Sequence, residues 1–264
     1  MVLLPALSAA DIAEFKRDGF LIKRGVLSPE LLAAARDRLW ASNTSATLRR
    51  DEPSTWRGFA EDDRAVDASG LNDRSAEYGW RCRSLSGDET MIDLLPRRVM
   101  PWLEQLVGAG AVVQPRATST ASDPDPGGTR LRGWNAYGGL ELRGVYCVLP
   151  QERTASSPTM ASAAKAGAHL DPPPKHLVVS GLLDNVPKGG GGLALFPGSH
   201  MLLYEQNPET LDLQRSVDLH RPHPVTGQGG STLRKEFNSD VAACKRHLQK
   251  CEPVEFCGSA GDVV

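Results

Sequence analysis

Apolar positions follow two different patterns along this chain, and the change falls near Gly108. Before it they recur at helical spacing. Ser8-Ala9-Ala10-Asp11 reads as a capping box, in which a serine hydroxyl and an acidic side chain satisfy backbone N–H groups reciprocally. Ile12 and Phe15 then share one face with Lys16, and Gly19 closes this first helix. The apolar run FLIKRGVL, residues 20–27, predicts a short strand. Ser28-Pro29 reads as an N-cap followed by proline at the first helical position, where its missing N–H costs nothing. Leu31, Leu32, Ala35, Leu39 and Trp40 form the apolar stripe of that second helix, down to about Asn43. Residues 42–64 are polar and punctuated by proline, which predicts a loop. A third helix is expected from near Thr90, carrying Met91, Leu94, Leu95, Val99, Trp102 and Leu106. Pro96 and Pro101 should kink or split it.

After Gly108 the runs shorten and become β-prone: AVVQPRAT, LELRGVYCVL, HLVVSGLLDNV, GLALFPG and PVEFCG, each bounded by glycine or proline. Several short strands separated by turn residues predict a mainly β core of the barrel or sandwich kind. Two Ser-, Gly- and Pro-rich stretches, residues 119–129 and 150–167, read as loops. The second directly precedes His169, where a loop can serve as a lid. Residues 203–250 turn polar again and read as an insertion, with a helix expected around Asp240–Lys250. There is no internal repeat. The predicted plan is one domain, with a helical part over 1–108 and a β core over 109–264.

Composition narrows the class. With 264 residues, 40% hydrophobic and 23% charged, the chain has the make-up of a globular protein with a sizeable core. A formal net charge of −2 gives no electrostatic case for nucleic acid or an anionic membrane as principal partner. No apolar run approaches a bilayer span. The start lacks a basic segment and meets Pro5 and Asp11 too early for a secretory signal. Five cysteines without framework spacing fit reduced thiols. The expectation is an intracellular, cytoplasmic protein.

The candidate chemistry lies in AGAHLDPPPKH. On a strand, residues i and i+2 face the same side, so His169 and Asp171 would aim an imidazole nitrogen and a carboxylate oxygen at one point. That is two corners of the 2-His-1-carboxylate triad that binds iron(II) with open positions for oxygen and a co-substrate. The pattern is short enough to arise by chance, and its plain alternative is an exposed histidine with an aspartate opening the DPPP turn. Gly189–Gly192 and Pro197-Gly198 read as turns. A phosphate-cradling loop at the first would need a Lys-Ser/Thr pair that is absent. His200 reads as a surface or hydrogen-bonding residue. Cys244, His247 and Cys251 fall on one face of a possible helix, with Cys257 after it. Ordinary thiols fit this spacing better than structural zinc. Arg143 and Tyr146 read as buried structural residues.

Taken in order, three segments carry a resemblance. FKRDGFLIKRGVLSPELLAAARDRLW, HLD and GGGGLALFPGSH are similar to the opening helix–strand–helix, the first ligand pair and the G-x-L-x-x-x-P-G-S-H segment of the phytanoyl-CoA dioxygenase family. These are iron(II)/2-oxoglutarate-dependent oxygenases. The likeness spans most of the chain, except about Asp51–Arg132. It implies a double-stranded β-helix, a cupin-like jelly roll, with His169 and Asp171 as metal ligands at its mouth. It also implies 2-oxoglutarate and O2 as co-substrates, the first decarboxylated to succinate while a small organic or acyl substrate is hydroxylated. The family's second histidine lies about ten residues beyond a Gly-Asp pair that opens a late strand, and its 2-oxoglutarate arginine lies farther on. PVEFCGSAGDVV supplies that lead-in with Gly261-Asp262 and the sequence stops at Val264, so the chain reads as C-terminally truncated, which would leave the barrel with an unpaired edge. His176, His200, His220 and His223 are the possible replacements for that histidine. The competing readings are a non-catalytic, degenerate jelly-roll binding protein and a cupin with another metal.

Overall fold

The computed structural model describes residues 4–42, 48–56, 72–73, 80–82, 85, 88–109, 144–148, 177–201, 248 and 250–264. Helix α1 spans Ala9–Asp18. The Ser8 hydroxyl accepts the Asp11 N–H and the Asp11 carboxylate accepts the Ser8 N–H, so the expected capping box is formed. Gly19 ends the helix at φ 82, the left-handed cap that glycine adopts without a Cβ penalty. Its missing Cβ is also required by packing, since an alanine methyl there would strike the His200 ring. Gly19→Ala is therefore expected to cost about 1–2 kcal/mol from backbone strain alone, with the steric conflict adding to it. Urea unfolding of the variant measures the loss.

Helix α2, Pro29–Ala41, starts as expected, with the Ser28 hydroxyl accepting the Leu31 N–H and Pro29 in the first turn. Its buried side is Leu32, Ala35 and Leu39, with Leu31 and Trp40 half-buried beside them. After it, Pro53–Thr55 makes one 3-10 turn. The third apolar helix is two helices, α3 over Glu89–Leu94 and α4 over Pro96–Val107. Leu95, at φ −121 and ψ −65, belongs to neither. A residue before proline is pushed out of the helical region by the ring, so Pro96 splits the pattern and begins the next helix. Pro101, by contrast, sits inside α4 without ending it. Asp88 caps α3 by accepting from Thr90 and Met91, and Arg38 of α2 grips the same carboxylate at 2.6 Å. The Trp102 indole donates to Pro5 O at 2.7 Å and the Leu7 N–H to Gln105 Oε1 at 2.8 Å, fastening the N-terminal segment along α4.

Two small antiparallel sheets accompany these helices. In the first, β1 (Asn72–Asp73) pairs with β2 (Trp80–Cys82), and β2 with β3 (Val145–Cys147). The strands β1 and β2 lie within the part read from sequence as helical, so that part also contributes sheet. In the second, β4 (Leu193–Leu195) pairs with β5 (Val254–Phe256). The core joins α2, α3 and α4 through Leu32, Ala35, Leu39, Met91, Val99 and Leu103, and it takes in Cys82 from β2 and Val263 from the last residues. No helix of the described residues is long and apolar enough to cross a membrane.

The segment FLIKRGVL forms less strand than expected. Lys23 makes a bridge to Val263, and the N–H groups of Val26 and Leu27 both donate to Gly261 O. Gly25, at φ 62, breaks the extended run between these contacts.

Candidate metal site and the strand pairing beside it

Among the described residues, the β4–β5 pairing is continued by isolated antiparallel bridges. Residues 254–264 run back along residues 180–195. Leu193 faces Phe256, Val186 faces Gly258 and Gly181 faces Val263. Ser180 and Val264 exchange both N–H···O bonds at 2.9 Å. Val263 also exchanges both bonds with Lys23 on its other side, at 2.8 Å. The last residues are therefore paired on two sides, with Lys23 of FLIKRGVL as the second neighbour.

Between Val186 and Leu193 the ladder's outgoing strand makes an excursion opposite a single residue, Cys257. This is the glycine run, and it is a turn, as the sequence suggested. Gly189 and Gly191 have φ of 74 and 94. The Gly190 N–H donates to Pro187 O at 2.8 Å. The Glu255 carboxylate accepts the Gly189 N–H with both oxygens, at 2.7 and 2.9 Å. At Gly192 any Cβ would collide with the Phe256 carbonyl, so close backbone approach demands glycine here. Pro197-Gly198 makes the second expected turn, with Gly198 at φ 72 donating its N–H to Asp18 O at 2.8 Å.

Asp262 is the one buried charged residue of the described core, 3% exposed. Its carboxylate accepts from Arg24 Nη1 at 2.6 Å, from the Gly25 N–H at 2.9 Å and from the Ser259 N–H at 3.0 Å. Arg24 Nη1 donates as well to Cys257 O at 2.7 Å. Burial alone would raise the Asp262 pKa. The hydrogen bonds from Arg24, Gly25 and Ser259 outweigh it and hold the carboxyl below its ordinary value. Around it, Asn185 accepts the Ala260 N–H at 2.9 Å and the Gly261 N–H donates to Leu182 O at 2.8 Å. The sequence pointed to Gly261-Asp262 as a strand opening. It gave no sign that Arg24, so far away along the chain, would hold that aspartate; the adjacent charges of LIKRG were the only available signal.

His169 and Asp171, the predicted ligand pair, lie outside the described residues. So do His176, His220 and His223, the residues Cys244 and His247 of the alternative zinc reading, and Arg143. Among the described residues no group of three or more His, Cys, Asp or Glu side chains is arranged to hold a metal ion. His200 is described. Its Nε2 lies 3.2 Å from Lys16 O, which serves as acceptor at the end of α1, while the ring packs on Gly19. It has the hydrogen-bonding role expected from sequence. Tyr146 departs from expectation: it is 40% exposed, on the opposite strand face from Cys147. Period-two alternation accounts for this, since the face carrying Val145 and Cys147 packs against the core.

No family model, curated protein or solved structure matches this chain.

Cysteine chemistry is limited at β3. The Cys147 thiol is pushed up to about 12, chiefly by burial and further by the Asp184 carboxylate. The thiolate is the reactive and metal-binding form. At pH 8 alkylation of Cys147 in the folded protein should therefore run about 10^3-fold slower than that of an ordinary thiol. Peptide mapping after a timed iodoacetamide pulse checks this, with the urea-unfolded chain as the reference. Rapid labelling of the native protein would contradict it.

Proposed function

We propose that this chain belongs to an iron(II)/2-oxoglutarate-dependent oxygenase of the phytanoyl-CoA dioxygenase type, built on a jelly-roll core, with His169 and Asp171 holding the metal. The donor chemistry fits iron(II): a neutral imidazole and a hard carboxylate are two of the three protein ligands such a centre uses. When bound, the metal with 2-oxoglutarate and O2 supplies oxidising power to hydroxylate an unactivated C–H bond of a small organic or acyl substrate, releasing succinate and carbon dioxide.

The observation that carries this reading is the pairing of Ser180–Leu182 with Asp262–Val264. The segment entering this strand from its N-terminal side bears His169 and Asp171. Because the pairing is antiparallel, residues 262–264 run towards the N-terminal end of that strand, the end that follows His169 and Asp171 in sequence. In the resembled family a histidine about ten residues beyond the Gly-Asp pair completes the metal site, which this direction would suit. The Gly189–Gly192 and Pro197-Gly198 turns, found at the places the resemblance implies, support the same reading. In this account the chain's own residues do three things. His169 and Asp171 bind and orient the metal. The ladder and the Arg24–Asp262 pair hold the neighbouring strand in register. Leu177 and Val179 pack against the core and anchor the strand that follows the HLD segment in sequence.

The test is succinate release from 2-oxoglutarate with iron(II) and O2, in a version of the chain extended to the full barrel and in its Asp171→Ala variant. Iron-dependent succinate that falls to background in the variant is the expected result. Succinate formation unaffected by the substitution would refute the assignment. No succinate from the extended wild-type protein would favour the binding-protein alternative.

A further inference from the structure

We draw no further inference here: the strongest candidate, the backbone edges of Phe20–Ile22 and Leu177–Val179 next to the Lys23–Val263 and Ser180–Val264 pairing, carries nothing because nothing in the structure shows what covers them.

Discussion

Replacing Asp262 by alanine should destabilise the fold by about 3 kcal/mol, the scale expected when a buried, fully hydrogen-bonded carboxylate is removed and its donors are left unsatisfied. The Gly25 and Ser259 N–H groups lose their acceptor, and the contact between the LIKRG segment and the last residues loses its charged pin. Arg24→Ala should cost less, about 1–2 kcal/mol, because the buried carboxylate loses its cation but keeps the Gly25 and Ser259 N–H groups. The asymmetry is the diagnostic feature. If the two variants shift the urea midpoint equally, the carboxylate is not anchoring the backbone as described.

The same residue predicts a pH dependence. Its folded pKa is depressed, so the unfolded chain binds the proton more readily. The stabilisation is fully present above the ordinary carboxyl pKa of about 4 and is lost as pH falls through the lower folded value. Asp88, held low by Arg38 and by its N-cap bonds against the opposing effect of burial, acts in the same direction. Wild-type stability should therefore decline on acidification below about pH 4, and Asp262→Asn should remove part of that slope. A variant with an unchanged acid limb would show that Asp262 is not titrating between these states.

The contrast between what was readable in the sequence and what was not follows the range of the interactions. Ser8 and Asp11, Ser28 and Pro29, and Gly19 announced their caps because the partners lie within a turn of one another. The glycine run and Pro197-Gly198 were equally plain, since positive φ is a local demand. Pro96 was read as a disruption and is one, while Pro101 is carried within α4, whose neighbouring Val99, Met100, Trp102 and Leu103 are buried. Tertiary packing there outweighs the local penalty. The non-local contacts were invisible: Lys23 with Val263, Arg24 with Asp262, Glu255 with Gly189, and β3 with β2. No periodicity encodes which distant segments meet. For the candidate site, i, i+2 spacing and the resemblance together suggested HLD as a ligand pair, and both residues lie outside the described ones; a third ligand would depend on non-local pairing that no local pattern encodes.

The second large effect concerns that pair. His169→Ala removes one of the two protein donors that the account assigns to the metal. Loss of residues that merely support a ligand already costs 10–100-fold in affinity, so loss of the ligand itself should lower iron(II) affinity by at least about 10^2-fold. Asp171→Ala should do the same and should also leave the site without its compensating negative charge. His200→Ala serves as the control. Its ring is occupied with Lys16 O and Gly19, so it should lose stability while leaving iron binding intact.

The most direct measurement is anaerobic equilibrium dialysis of iron(II) against the protein extended to the full barrel, as wild type and as the His169→Ala, Asp171→Ala and His200→Ala variants, with circular dichroism confirming that each is folded. The account predicts one iron per wild-type and His200→Ala chain, and at least about 10^2-fold weaker binding in both His169→Ala and Asp171→Ala. Iron binding by His169→Ala and Asp171→Ala with wild-type affinity would contradict it.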